Sequence, residues 1–588
     1  MTSSPVQPTN SWDIVGIQRR RPNRRRWIPT LTLSVVLGYL VLIPVIYVVV
    51  SSLKPTGLVF DVGFTLDHYI ELFGDSNIIG LFLKTLLFAF GAATGAVVIG
   101  FGLAWLVERT DLPARGFFRA IAIVPMATPP LLMAIAWVTL LDPKIGALNT
   151  LVDSFLGLEW TPFNIYSIAG MIFVETLVMV PTAFLILSPA IRNMDPNLED
   201  AAAASGAGFW RTFRTILLPM MAPAILAAWV FLLIAGFVIF DIPGIIGVPA
   251  NEYVFSSAVI QYAKYSPTGL PEYGRISALT VFFLVLLGGL AYLYARFTRN
   301  SERFVTVTGK GYRPKRFKLK KWRIPAIAAI STYFSLSVVG PLLILAWTSL
   351  LPYRTGVSID MLPLLSLDNY VALAGNNRLG VASLNSITIA VVAAIVVTIL
   401  SFTVSWVTTR TKAPGRKVLD AITFVPVALS GVMMGTALIY VYLTLSALPV
   451  YGTIWIIAIA HITLYLAFGT KLTNGVMIQL SPDLEEAGAT SGATRIYALR
   501  KITIPLVKPA LIGLWVWVVA HSIRELSSAL MLQGRSNSVV STLLWSYWEG
   551  GRPTAAATVG VVLITVLLVL VTIWQLLSNR SRSNLGEL

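Results

Sequence analysis

Leu198-Glu199-Asp200-Ala201-Ala202-Ala203-Ala204-Ser205-Gly206-Ala207 stands 286 residues before Leu484-Glu485-Glu486-Ala487-Gly488-Ala489-Thr490-Ser491-Gly492-Ala493. The two stretches run on to Ile216-Leu217-Leu218-Pro219 and Ile502-Thr503-Ile504-Pro505, and Pro223 and Pro509 follow in the same register. A match this dense at one offset is an internal repeat. Further upstream the offset is 301: Leu66-Asp67-His68-Tyr69 matches Leu367-Asp368-Asn369-Tyr370, and Trp105, Arg109, Thr110, Pro113, Arg115 and Pro125 match Trp406, Arg410, Thr411, Pro414, Arg416 and Pro426. The fall from 301 to 286 gives the first half 15 extra residues, expected in an external loop at Asp142–Pro162 that is much longer than its counterpart near Pro449.

The solvent of each half follows from composition. Of 588 residues, 56% are hydrophobic and 12% charged, and mean hydropathy is +0.77. Soluble domains carry about 25% charged residues. Such a chain must face a bilayer. A helix rises about 1.5 Å per residue, so crossing about 30 Å of hydrocarbon takes about 20 apolar residues. Stretches of that kind recur at Leu31–Leu53, Thr85–Val107, Ala120–Leu141, Ile165–Ile191, Met220–Phe240 and Ile276–Ala295. A second set covers Ile324–Tyr353, Leu379–Thr409, Ala421–Ala447, Thr453–Thr470, Pro509–Met531 and Thr554–Ser578. The ninth and tenth share one uncharged run, divided at Leu448-Pro449-Val450-Tyr451-Gly452, where Pro and Gly suit a turn. The sequence thus predicts an all-α membrane protein of about 12 transmembrane helices in two parallel six-helix repeats. Six spans per half give both copies one orientation and a pseudo-two-fold axis along the membrane normal.

The net charge of +17 sits mainly in short runs beside apolar segments, which speaks for membrane orientation and against nucleic-acid binding. One run is Arg19 to Arg26; the largest spans Arg296 to Arg323 between spans six and seven. With most Lys and Arg placed inside, both termini are expected in the cytoplasm of a bacterium, with the chain in its inner membrane. The expected division is a basic tail at 1–30, a first repeat at 31–297, a basic linker at 298–323, a second repeat at 324–579 and a short tail at 580–588. The apolar stretch after Arg26 is longer than the about 7–15 residues of a signal peptide, so it is expected to be an uncleaved span. There is no cysteine, which excludes disulfides and Cys-based zinc or catalytic sites. Three histidines, His68, His461 and His521, lie far apart in sequence, and no His-rich metal site is expected. The 16 Trp and 20 Tyr residues are expected in interfacial belts.

The repeated segment resembles the EAA loop of binding-protein-dependent ABC importer permeases: Glu-Ala-Ala, three residues, Gly, nine residues, then Ile-x-Leu-Pro. Here the first copy reads Asp200-Ala201-Ala202, Gly206 and Ile216-Leu217-Leu218-Pro219; the second reads Glu486-Ala487-Gly488, Gly492 and Ile502-Thr503-Ile504-Pro505. The departures are Asp at 200, Gly at 488 and Ile at 504. The resemblance extends over nearly the whole chain after about residue 60 and implies the type I ABC importer permease fold. It also implies that each loop is a short coupling helix docking on one of two ATPase subunits, and that an extracytoplasmic binding protein delivers cargo. Alanine favours a helix that seats closely in a partner, glycine permits the turn, and proline can stop one helix or open the next. No P-loop is present: Gly309-Lys310-Gly311 lacks the upstream Gly and the hydroxyl. The chain is therefore expected to be no enzyme and to hold no cofactor, with ATP and Mg on the partner ATPase. A secondary transporter also has two parallel six-span halves, but needs no such loops.

Ionisable residues at membrane depth are costly and are candidate functional groups. Glu175 lies in span four, Asp241 ends span five, and Arg524-Glu525 interrupts span eleven. The readings stay open: they line or gate the cargo path, or they pair between helices or sit at the interface where water reaches them. Fusion of both halves, with Phe240-Asp241-Ile242-Pro243-Gly244-Ile245-Ile246-Gly247-Val248-Pro249 and Arg524-Glu525-Leu526-Ser527-Ser528-Ala529-Leu530, resembles the ferric-iron importers of this superfamily. Thiamine, phosphonate and polyamine permeases are similar. Ferric iron prefers hard oxygen ligands, so acidic residues suit it, as they suit an organic cation.

Overall fold

The computed structural model describes residues 27–156, 162–192, 194, 196–264, 266, 271–301, 317–411, 413–445, 447–481 and 483–585. The basic run at 19–26 and Gly309-Lys310-Gly311 lie outside them. Among the described residues nine helices are long and apolar enough to cross a membrane: α1 (Pro29–Ser51), α2 (Ser76–Arg109), α5 (Ile168–Arg192), α7 (Trp210–Val238), α8 (Tyr273–Tyr294), α9 (Lys320–Ser349), α10 (Asn377–Arg410), α13 (Ile454–Gln479) and α15 (Ile496–Arg524). Two pairs of shorter helices pass the same test only together, each a broken span or a re-entrant loop: α3 (Arg115–Ala127) with α4 (Pro130–Leu141), and α11 (Arg416–Ala428) with α12 (Gly431–Thr444). The short helices α6 (Pro196–Ala204) and α14 (Asp483–Thr490) and the last helix, α16 (Pro553–Leu585), complete the set used below. The twelve apolar stretches of the sequence each fall on one of these spans, broken pairs or α16.

Two of them are not straight. The pair α3–α4 bends by 92° and α11–α12 by 110°. At the first bend Thr128 and Pro129 are extended, as expected of residues followed by proline: Pro129 and Pro130 remove backbone donors and bar the helical conformation behind them. The second bend has no proline pair. There Leu429 and Ser430 are extended, and Ser430 restarts the helix by accepting a hydrogen bond from the Met433 amide at 3.0 Å. A third correction concerns span eleven, which ends at Arg524 and not at Met531; Glu525 is extended and a separate short helix covers Ser527–Leu532. The break is shared by the repeats, because Ile239, 286 residues earlier, is extended at the end of α7.

Small residues let the long helices of each half approach. On α2, an added Cβ at Gly91 would lie 2.8 Å from Ile172 of α5, and one at Gly100 would lie 2.6 Å from Ala183. In the second half the glycine has changed sides: Gly469 of α13 faces Ser401 and Val397 of α10. The first helix of each repeat crosses to the other. Leu33, Leu37 and Val41 of α1 are buried with Val404, Val407, Leu419 and Leu466 of the second half, and the Tyr39 and Tyr442 hydroxyls meet at 2.7 Å. Reciprocally, α9 packs on α3 and α4. The halves are therefore interleaved. The long loop after Asp142 carries a helix, Ala147–Leu156, and Gly356 of the second half packs on its Thr150.

Candidate functional site

The repeated motif folds alike in both copies. Four consecutive alanines end α6, and Asp483, Glu485 and Glu486 crowd the first turn of α14, where the helix dipole favours negative charge. Each helix stops at a left-handed glycine, Gly206 at φ 76° and Gly492 at φ 83°. The Ala207 amide donates back to the Ala202 carbonyl and the Ala493 amide to the Gly488 carbonyl, both at 3.0 Å, closing the same turn. A Cβ at either glycine would meet nothing within 4 Å, so backbone conformation and not space selects glycine here. Asp200, Ala201, Gly206, Glu486, Ala487 and Gly492 are exposed; Ala202 is buried, and Gly488 is half-buried against Ile502. Pro219 and Pro505 neither stop nor open a helix. Each follows a five-residue π turn, Phe213–Leu217 or Leu499–Thr503, inside one continuous span. Widening the helix there accommodates the proline ring and its missing donor.

The residue before each motif is the one tied to the bundle. Glu199 pairs with Arg109 at the end of α2 at 2.7 Å, and Glu485 with Arg410 at the end of α10 at 3.6 Å. The arginines also donate to carbonyls leading into the motif, Arg109 to Met194 and Arg410 to Met477 and Leu480. Arg109 and Arg410 were visible in the sequence only as a repeat match, as were Glu199 and Glu485; their pairing was not. A helix of 34 residues is about 50 Å long, more than a bilayer core, so both arginines stand at projecting helix ends.

The intramembrane charges form a second constellation. Glu175 is 1% exposed on α5, and both its carboxylate oxygens are without a hydrogen-bond partner among the described residues. It lies within electrostatic range of Asp241, which lies within range of Glu525 and Arg524. Arg524 crosses between halves, donating to the Met126 carbonyl at the α3–α4 bend at 2.5 Å and contacting His521 Nε2 at 2.8 Å. Glu525 is the most engaged carboxylate. It accepts from the Ser528 hydroxyl at 2.6 Å and the Ser528 amide at 3.0 Å, and stands 3.2 Å from His461 Nε2. Gly431, at the other bend, leaves it room: a Cβ there would lie 2.6 Å from Glu525 Oε1. Both helix breaks thus face the Arg524-Glu525 pair. His461 and His521, distant in sequence, both reach this region, with His461 Nδ1 2.6 Å from the Ser522 hydroxyl. No group of three or more His, Cys, Asp or Glu able to hold a metal ion occurs among the described residues.

Comparison with known proteins identifies the architecture. The family described as binding-protein-dependent transport system inner membrane component matches residues 96–306 and again 400–584. A ferric transport system permease protein FbpB of Actinobacillus pleuropneumoniae is 22% identical over 532 residues, 88% of this chain and 74% of that protein. Fe(3+)-transport system permease protein FbpB 2 of Haemophilus influenzae is 22% identical over 538 residues, 91% of this chain and 95% of that one. The sn-glycerol-3-phosphate transport system permease protein UgpA of Yersinia pseudotuberculosis is 29% identical over 266 residues, 43% of this chain and 86% of that protein. With the matched region present twice in one multi-pass chain, the protein belongs to the family of binding-protein-dependent transport system inner membrane components, as a fused two-repeat permease subunit of an ABC importer of the inner membrane.

Proposed function

We propose that this permease conducts ferric iron into the cytoplasm, and that α6 and α14 each dock one copy of a partner ATPase. The cargo assignment rests on one observation: the ferric permeases align over 88% and 91% of this chain, as single chains of both halves, whereas the glycerol phosphate permease aligns over 43%. The docking assignment is supported by two exposed helices with the same closing turn, each at the foot of a long span. ATP and Mg belong to the partner ATPase, and a binding protein outside the membrane delivers the cargo. The basic residues between spans support cytoplasmic termini.

Glu175 and Asp241 line the iron path in this account, and Arg524 and Glu525 frame it between the two helix breaks. Carboxylates suit a hard trivalent cation. The lack of a convergent three-donor site among the described residues suits cargo in transit, which must leave as readily as it enters. Thiamine, phosphonate and polyamine are the competing cargoes. The test is uptake in vesicles holding the permease, its ATPase and its binding protein. Vanadate-sensitive accumulation of labelled ferric iron is expected. Accumulation of an organic cargo in its place would reassign the cargo, and uptake without the ATPase would make the protein a secondary transporter.

A further inference from the structure

Arg109 and Arg410 occupy equivalent places, yet their surroundings differ. The Arg109–Glu199 pair is dry, its side chains 0% and 2% exposed, at 2.7 Å. The Arg410–Glu485 pair is looser at 3.6 Å, with Glu485 29% exposed. Glu485 also accepts from the Thr503 hydroxyl at 2.8 Å; the equivalent residue of the first half is Leu217, which has no hydroxyl. The larger difference comes from the segment joining the halves. The Phe317 amide donates to the Arg109 carbonyl at 2.8 Å and the Asp111 amide to the Phe317 carbonyl at 3.0 Å, a single parallel β-bridge at Thr110. The Leu319 amide is held by the Asp111 carboxylate at 2.8 Å. The Phe317 ring stacks on Trp105 at 5.9 Å, and Trp105 meets Phe213, in the π turn of α7, at 5.5 Å. Among the described residues no bridge of this kind lies at Thr411.

We propose that Arg109 and Arg410 are positioning residues that transmit movement of the docking helices into α2 and α10, and that Phe317–Leu319 seals the first linkage alone, so the two docking sites drive the permease unequally. This rests on the reading that α6 and α14 dock the ATPase. A buried ion pair walled off from water is stiff, because separating the charges leaves each without solvent. A pair with one partner partly open to water yields more readily, since water can take that partner's place. Displacement of α6 is therefore passed directly to α2, whereas displacement of α14 is partly lost at Glu485. Fusion of the halves thus does more than tether them: the returning chain stiffens one coupling point and leaves the other compliant.

The experiment uses the full permease with its ATPase and binding protein in vesicles. It reads the ratio of stimulated to basal ATP hydrolysis, and ATPase retention on the permease. Arg109→Met with Glu199→Met removes both charges together, so neither is stranded. The ratio is expected to fall about tenfold with the ATPase still bound, the size of an ordinary coupling free energy. Arg410→Met with Glu485→Met is expected to cost only about twofold, because water already reaches Glu485. Phe317→Ala, which leaves both pairs in place, is expected to make the first linkage as weak as the second, and Arg410→Lys to recover the second. Should the first double variant fail to insert, Phe317→Ala decides alone, and an unchanged ratio overturns the asymmetry. Equal losses from both double variants also overturn it. Unchanged ratios in all variants overturn the transmission role. Loss of ATPase retention in both double variants assigns the pairs to docking and overturns the proposal. If Gly206→Val and Gly492→Val leave the ratio intact as well, the docking reading itself has failed.

Discussion

Arg354, in the second half, donates to the Asp142 carboxylate of the first half and to the Val138 carbonyl, each at 3.1 Å. The Tyr166 hydroxyl donates to the same Asp142 oxygen at 3.0 Å, just before α5 begins. Helix α6 follows the far end of α5, 25 residues away, about 37 Å along a helix. The halves are therefore joined by ion pairing at the end of the bundle opposite α6, where the long loop of the first half turns back.

That joint gives a pH dependence. Burial works to raise the Asp142 carboxyl, but hydrogen bonds from the Lys144 and Ile145 amides, the Arg354 guanidinium and the Tyr166 hydroxyl outweigh it and hold it below the ordinary carboxylate range. A group lowered on folding stabilises the fold above its ordinary value, about 4 for aspartate, and ceases to do so as the pH falls through its lower native value. Asp142→Asn should lower thermal stability at neutral pH by about 2 kcal/mol, the worth of hydrogen bonds to a charged group. The gap between wild type and variant should close on acidification below about pH 4. A gap that persists unchanged at low pH would mean that charge plays no part.

The buried carboxylates should separate by variant. Glu525 is held by Ser528, Ala529 and His461, so Glu525→Gln should cost about 1–3 kcal/mol of stability as partners are lost. Among the described residues Glu175 has no such partners, and Glu175→Gln should leave stability equal or higher, since a neutral amide is easier to bury than a carboxylate. Transport should fall in Glu175→Gln and Asp241→Asn while ATPase assembly is kept. Melting curves and iron uptake on the same preparations check this; full uptake in the Glu175→Gln, Asp241→Asn double variant would return both residues to a structural role.

Orientation is tested by labelling. The chain has no native cysteine, so one introduced at Asn10 or Asn584 reports a single site. An impermeant thiol reagent added to intact cells should leave both unlabelled. Ready labelling at either position would invert the topology.

The apolar periods, the repeat and the closing glycines were legible in the sequence because they are local: a span needs only length, and a left-handed turn needs only glycine at Gly206 and Gly492. The bend at Ser430-Gly431 was not legible, since hydropathy averages over a helix break, and what restarts the helix is one serine cap beside a glycine that makes room for Glu525. The crossing of α1 to the second half was hidden for a related reason, because an apolar helix does not state its neighbour. Arg109 and Glu199 belong to parts of the repeat with different offsets, 301 and 286, so alignment of the halves displayed each without connecting them. Glu525 was read with Asp241 as a path residue, and its dense hydrogen bonding became visible only when His461 and Ser528 were brought to it by the fold.

In the proposed mechanism α6 and α14 carry the ATPase stroke into the membrane. Valine at Gly206 or Gly492 has space for its side chain but must hold a left-handed backbone, a strain of about 1–2 kcal/mol that opens the turn and shifts the docking helix. The decisive measurement is ATP hydrolysis in vesicles containing the permease, its ATPase and the cargo-loaded binding protein. Gly492→Val should abolish the stimulation caused by the loaded binding protein, and Gly206→Val, at the stiffer linkage, should abolish it at least as completely, with both permeases inserted normally. Wild-type stimulation in both variants would contradict the claim and make these segments ordinary connections between spans.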